Sequence, residues 1–476
     1  MIKKWLSSYN FNYPRSIAYM LQASEYKIPA YLKWLWHIKS FRKVEVRKHF
    51  VKTAKSICIL AVAWIIAIGT YVLAYFVLTS SLSAKYFLFL LIIALAPFVL
   101  AYGIIIPLVI IKFLIQTPIE RYIIKKAKEK LKNHKGMKIG IAGSFGKTTM
   151  REILKTVLGE GKKVAAPPHS YNTLLGISKF VKGLKGDEEI LIFEFGEYYK
   201  GDIREMCELV NPEIGVITGI NEAHLEKFKN LETTAGTIFE LADWLGEKPL
   251  YVNGENKIAK EKASSSHMVY TREGVSSWRV ENPQTGLDGT SFELSYRDEK
   301  FESKSNLLGL HQIGPLVTAI DIAFKLRIPM EDIKKGVEKT KPFDHRLEPK
   351  IDSAGVTILD DSYNGNPDGV KAVIAFLVSI RGHRRIYMTP GLVEMGDRME
   401  AVHIEIGKSL AQAGIEKVIL IRNSVAPYIE KGLKEFNYKG DIIWFEDGLS
   451  ALGALPHLTV NGDVVLLQND WPDQYY

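Results

Sequence analysis

The hydrophobic pattern of the chain changes character near residue 137. Before it lie two long apolar runs, Ser56 to Ser80 ("SICILAVAWIIAIGTYVLAYFVLTS") and Tyr86 to Ile111 ("YFLFLLIIALAPFVLAYGIIIPLVII"), neither with a charged residue. Each reaches the ~20 residues that cross a ~30 Å hydrocarbon core. Only "SLSAK" parts them, so the pattern predicts a tight transmembrane helical hairpin over 53–115. A helical pair buried in a soluble core is the alternative, although two such uncharged runs rarely adjoin there. Pro97 and Pro107 predict kinks in the second span, which membrane helices tolerate. The runs are too long and begin too late for a cleaved signal peptide.

After Met137 short apolar stretches alternate with helical spacing, the signature of an α/β fold. "MKIGIAG" reads as a strand ending in glycine, and "KTTMREILKTVL" follows with Met150, Ile153, Leu154 and Leu158 on one helical face. "KKVAAP", "EEILIFEFG" and "EIGVITGI" continue the strands. "VTILD", "RRIYMTP", "KVILI", "DIIWF" and "GDVVLLQ" predict a second, Rossmann-like domain without a nucleotide fingerprint of its own. The domains expected are a basic aromatic segment (1–52), the hairpin (53–115), a basic linker (116–136), a central α/β domain (137–342) and a C-terminal domain (343–476).

Charge sharpens this division. Residues 1–138 carry 22 Lys and Arg against 4 Asp and Glu, a net +18, while the remainder carries 40 against 49, a net −9. The overall +9 therefore describes the first third, and nucleic-acid binding by the main body is not expected. "FRKVEVRKHFVKTAK" before the first span and "RYIIKKAKEKLKNHK" after the second put both hairpin ends, and everything beyond Lys112, in the cytoplasm. Trp5, Trp34 and Trp36 among lysines suit either an interfacial segment or docking against a partner. The two cysteines, Cys58 and Cys207, exclude a disulfide framework.

The candidate chemistry begins at "GSFGKTT", Gly143 to Thr149. The common phosphate loop has four residues between its glycines, and here Gly143 and Gly146 are separated by two. Strand, glycine turn and helix are nevertheless in place, so backbone N–H groups and the helix N-terminus would face an anion. Lys147 would reach the terminal phosphates and the Thr148 hydroxyl would ligate Mg²⁺. An ordinary turn before a helix gives the same string. Glu194 and His224 follow strand ends, where parallel sheets place ligands. Singly they also read as a surface acid and a helix cap.

Seven stretches, "GSFGKTT", "SYNTLLG", "FEFGEYYKGDI", "VITGINEAHLEKF", "GLHQIG", "HRLE" and "DDSYNGNPDG", occur in this order over Met137 to Asp463. Together they resemble the Mur ligase family of ATP-dependent amide-forming enzymes, and within it the MurF type, which adds D-alanyl-D-alanine to a cell-wall precursor peptide. The resemblance implies that ATP phosphorylates a substrate carboxylate and that an amine attacks the acyl phosphate. It assigns Lys147, Glu194, His224 and Arg346 to catalysis. ATP contacts fall on Gly143, Ser144, Gly146, Lys147, Thr148, Thr149, His311, Arg346 and Asp361, and Mg²⁺ on Thr148, Glu194 and His224. Substrate contacts fall on Ser170, Asn172, Thr173, Asn364 and Asn366, although Asp, Asn and Gly in the last loop also suit a plain turn.

Four departures from that pattern stand out. Ile238 replaces a lysine that is carbamylated in most members, leaving Glu240 or water to compensate; Pro315 replaces an adenine-contacting asparagine. "NDWPDQYY" replaces a basic tail, and the hairpin replaces the domain that grips UDP. The resulting expectation is a ligase of the inner membrane with two spans and its catalytic domains in the cytoplasm. Its partners would be a UDP- or lipid-linked peptide, an amino acid or dipeptide, the membrane and other envelope-synthesis enzymes. The hairpin would either help present a lipid-linked acceptor or serve only as an anchor. Two alternatives stay open: a related ligase on a folate-like or lipid-linked substrate, and a non-catalytic nucleotide-binding scaffold.

Overall fold

The computed structural model describes residues 2–45, 49–168, 171–221, 230–297, 299–363, 365–393 and 395–469. The described residues divide into two compact units, one up to residue 122 and one from residue 123 to residue 469.

In the first unit, helices Ala54–Thr79 and Lys85–Gly103 form the expected hairpin, and Ile105–Ile111 continues it. Both long helices are long and apolar enough to cross a membrane. Ile65, Phe76, Phe87 and Leu90 are exposed along them. Thr53 and Ser56 cap the first helix reciprocally, each side chain accepting the other's backbone N–H at 3.1 and 2.8 Å. Pro97 stays within its helix; the break falls at Ile104, where Pro107 has no N–H to offer the Gly103 carbonyl.

The preceding helices, Ile2–Ser7, Tyr13–Ala23 and Ile28–His37, pack on the hairpin itself rather than standing apart. Tyr13, Ile17, Tyr31 and Trp34 share a core with Ile59, Ala63, Leu100 and Ile104. Four donors of this segment, Trp5, Tyr9, Tyr13 and Tyr31, meet main-chain oxygens of the second hairpin helix. Tyr9 donates to the Ile93 carbonyl at 2.9 Å, the oxygen that Pro97 leaves without its helical partner. Trp5 donates to Ala94 at 3.2 Å, Tyr13 to Pro97 at 3.0 Å and Tyr31 to Ala101 at 2.7 Å.

The second unit holds three sheets. The central one is fully parallel, in the order β2 (Val164–Ala165), β3 (Ile190–Glu194), β1 (Met137–Ala142), β4 (Ile214–Ile217), β5 (Leu250–Asn253), β6 (Met268–Tyr270). The expected linker 116–136 is mostly the helix Thr117–Asn133. It buries Ala127 and Leu131 in the core beneath this sheet, with Arg121, Lys125 and Lys128 exposed. Just beyond it, buried His134 lies 3.0 Å from Glu188 and accepts the Gly136 N–H at its other nitrogen.

An antiparallel sheet follows that the hydrophobic pattern did not suggest: β7 (Gly274–Val275), β8 (Trp278–Gly286), β9 (Gly289–Tyr296) and β10 (Glu299–Ser305). One buried carboxylate ties it to the central domain. Asp321, on the helix Ile313–Lys325, accepts from Trp278 at 3.1 Å, Ser276 at 3.1 Å, Tyr251 at 2.8 Å and Lys325 at 2.8 Å.

The C-terminal sheet runs β11 (Glu348–Ile351), β12 (Thr357–Asp361), β16 (Val464–Gln468), β13 (Arg385–Thr389), β14 (Lys417–Ile421), β15 (Asp441–Phe445). Its five parallel strands coincide with the five expected stretches. Only β11, antiparallel to β12, is an addition.

Candidate active site

The ends of β1, β3 and β4 meet at the loop that opens the helix Lys147–Leu158. Ile141 pairs with Glu194 and Ala142 with Ile217, so the loop and both neighbouring strand ends share one edge of the sheet. That is where parallel sheets bind ligands. Two glycines make the turn. Gly146 sits at φ +77° as the N-cap residue, and a Cβ on Gly143, at φ +145°, would collide with the Thr218 hydroxyl. Thr218 closes the loop from β4, its hydroxyl bonding the Phe145 carbonyl, and the Ser144 N–H donates to the Gly219 carbonyl at 2.7 Å.

Three side chains set the charge of this edge. Lys147 bonds the Gly143 carbonyl and pairs with Glu197 at 2.8 Å. The Thr148 hydroxyl donates to Glu194 Oε2 at 3.1 Å. Glu194 Oε1 lies 2.7 Å from Arg151, which also pairs with Glu152 at 2.6 Å. Removal from water pushes the Glu194 carboxyl above its usual range, and Arg151, Lys147 and the Thr148 hydroxyl partly offset this.

The C-terminal domain supplies the facing wall. Asp361, at the end of β12, is buried, and loss of water raises its carboxyl to about 6 against the pull of Arg346. Its side chain receives Gln468 at 3.5 Å. Desolvation lowers the pKa of the Arg346 guanidinium, while the carboxylates of both Asp361 and Glu194 favour its charge. The guanidinium lies 5.2 Å from the Tyr363 ring centroid. Nearby, Asn221 beyond β4 donates to Asn366 at 2.8 Å and to Asp368 at 3.1 Å, joining the two domains.

Gly143, Ser144, Gly146, Lys147, Thr148, Thr149 and Glu194 therefore cluster as expected, with Arg346 and Asp361 opposite. Other candidates have local duties. Thr173 caps the helix Leu174–Lys182 and Asn366 caps Pro367–Ser379. Asn172 packs against Gly196, whose N–H bonds the Asn172 carbonyl at 2.8 Å. His311 is exposed, with its ring 2.8 Å from the Gln312 amide; Pro315 occupies the first turn of its helix, where no N–H is required. Ile238 is fully buried. Glu240, the suggested substitute ligand, already accepts the N–H groups of Gly201 and Arg204 at 2.9 and 3.0 Å. His224, Ser170, Asn364 and the tail from residue 470 lie outside the described residues.

Arg151, Glu197, Thr218 and Asn221 belong to the site but were not singled out from the sequence. Arg151 was the most accessible of them, three residues beyond Thr148 on the same helix.

The donor set fits a nucleotide's phosphates and Mg²⁺. Ser144 Oγ and Glu197 Oε1 are buried without a hydrogen-bond partner among the described residues. The Thr148 hydroxyl and Glu194 carboxylate are hard oxygen donors of the type Mg²⁺ takes beside phosphate. Among the described residues no group of three or more His, Cys, Asp or Glu gathers for a metal, so a cation here would depend on the phosphates for much of its shell.

A phosphate loop on one α/β domain, faced by an arginine and an acid from a second, suits ATP-dependent chemistry, and the family match makes the class an ATP-dependent ligase. Residues 141–323 match the Mur ligase middle domain and residues 345–468 the Mur ligase glutamate ligase domain, and the chain belongs to the Mur ligase family. It is similar to the UDP-N-acetylmuramoyl-tripeptide--D-alanyl-D-alanine ligase of Bacillus subtilis, 27% identical over 340 residues, covering 69% of this chain and 72% of that one. The Mycobacterium tuberculosis enzyme of the same name is 28% identical over 354 residues and 69% of each chain. Among solved structures, MurF from Acinetobacter baumannii gives a TM-score of 0.66 at 21% identity, over 75% of this chain and 78% of that one. MurF from Thermotoga maritima in complex with ADP gives 0.64 at 24% identity, over 74% and 80%.

Proposed function

We propose that this chain is a membrane-anchored ligase of the MurF type, joining an amine, D-alanyl-D-alanine by analogy with the named relatives, to the carboxylate of a cell-wall precursor peptide. The observation that carries the reading is the arrangement of Lys147, Thr148 and Glu194 at one strand edge, with Arg346 in the field of Glu194. Phosphoryl transfer needs positioning and charge neutralisation more than covalent help. A carboxylate oxygen attacks the γ-phosphorus of ATP and ADP departs. The amine nitrogen then attacks the acyl carbon, phosphate leaves and the amine proton passes to solvent. Lys147, the loop N–H groups and Arg346 hold the transferred group, and Mg²⁺ held by Thr148 and Glu194 would supply further positive charge.

The hairpin and the basic outer face of Thr117–Asn133 support an acceptor presented at an anionic membrane surface on the cytoplasmic side. The test is phosphate release by the detergent-solubilised full-length protein with ATP, Mg²⁺ and D-alanyl-D-alanine. UDP-linked tripeptide precursor and its lipid-linked counterpart are compared, with Lys147→Ala as control. Release requiring both substrates and absent in the variant is expected, fastest on the lipid-linked precursor. No stimulation by any pairing of these substrates would defeat the reading.

A further inference from the structure

We propose that Glu197 makes nucleotide binding at the phosphate loop conditional on a divalent cation; this rests on the nucleotide-site reading above. Glu197 is 1% exposed, one carboxylate oxygen 2.8 Å from Lys147 and the other without a hydrogen-bond partner among the described residues. Among the described residues, Lys147 is the only cation in ion-pair contact with it. Glu194, by contrast, has Arg151 at 2.7 Å as a partner of its own.

The consequence is a competition for one ammonium group. An incoming phosphate draws on Lys147, whose side chain is 12% exposed and already held by Glu197 and the Gly143 carbonyl. Once the phosphate takes it, Glu197 is a buried carboxylate without its counter-charge and close to a polyanion. Breaking a buried pair on one side is strongly unfavourable. A nucleotide arriving with Mg²⁺ brings the missing positive charge, and the open Glu197 oxygen can face it directly or through water. A metal-free nucleotide brings only more negative charge. Glu197 is thus a positioning residue that keeps Lys147 at the loop and discriminates against metal-free nucleotide.

The test is calorimetric titration of ADP into the full-length protein in detergent, with Mg²⁺ and with EDTA, taking the ratio of the two dissociation constants. In Glu197→Gln that ratio is expected to fall by about tenfold, chiefly because metal-free ADP binds more tightly. Glu197→Asp keeps the charge and is expected to keep the wild-type ratio. Thermal unfolding midpoints within a few degrees of wild type establish that both variants are folded. An unchanged ratio in Glu197→Gln, or the same fall in Glu197→Asp, overturns the inference alone. A wild-type protein that binds no ADP with Mg²⁺ overturns the nucleotide-site reading and this inference with it.

Discussion

Glu194 and Asp361 occupy equivalent places in two different sheets. Each is the last residue of a parallel strand, each is buried, and each answers to an arginine. Their treatment differs. Glu194 has Thr148 at 3.1 Å and Arg151 at 2.7 Å. Asp361 has Gln468 at 3.5 Å, and Arg346 acts on it from beyond ion-pair contact. The first acid is raised too, but a hydroxyl and an arginine at hydrogen-bonding distance tie it into the loop. The second is raised to about 6, close enough to neutrality for its charge to depend on what approaches it. A site divided between two domains can thus hold one wall by direct contacts and leave the other more open to what its ligand brings.

The strongest way to break this contrast is Arg346→Ala, which removes the one guanidinium whose charge both acids favour. ATP-dependent phosphate release is expected to fall about 10²–10³-fold. A loss below about tenfold in steady-state assays would remove Arg346 from the transition state.

The next effect concerns pH. Folding raises the Asp361 carboxyl from 3.8 to about 6, so the folded state binds the proton more tightly than the unfolded one. Its stabilising contribution is complete below about pH 4 and is lost as pH rises through about 6, on the order of 3 kcal/mol. Asp361→Asn should flatten this part of the profile in thermal unfolding between pH 4 and 7. A parallel slope in the variant would assign the effect elsewhere.

Glu194→Gln is expected to cost about 2 kcal/mol, since it removes the carboxylate charge that faces Arg151 at 2.7 Å. The readout is the unfolding midpoint at pH 7, and a variant as stable as wild type would mean that Glu152 suffices. Asn366→Ala should cost about 1 kcal/mol through the lost cap. The same midpoint is its readout, where an unchanged value would mean that the cap contributes nothing; the Asn221 contact to Asp368 survives in that variant.

Much of this contrast was legible in the residues. The hairpin, the strand-turn-helix at Gly143–Leu158, the wall acids and the five parallel C-terminal strands follow from run length, periodicity and motif order. The antiparallel sheet over 274–305 did not: it is held by Val275, Trp278, Phe292 and Leu294 in the central core and by Asp321, a polar residue in a mostly apolar helix, and neither tie shows in a local pattern. Glu197 was hidden for a related reason: three residues beyond a strand end, nothing local tells an acid that turns inward from one that faces water. Asn366 and Thr173 carried the opposite ambiguity. Their residue types suit substrate contact and helix capping equally, and the structure adds that each caps a helix, accepting the backbone N–H of Gly369 or Gly176.

Tyr9, Tyr13, Tyr31 and Trp5 bear on how the hairpin could be transplanted. Their donors satisfy the carbonyls of Ile93, Ala94, Pro97 and Ala101 along a proline-bearing helix. If residues 53–115 cross a membrane as proposed, fusing them alone to a reporter would carry the Ile93 oxygen, which Pro97 leaves without a helical N–H, bare into hydrocarbon, where an unsatisfied carbonyl costs several kcal/mol. The smallest piece to test as an anchor is therefore the whole stretch from the first helix onward, since the basic aromatic leader packs on the hairpin and donates to its carbonyls.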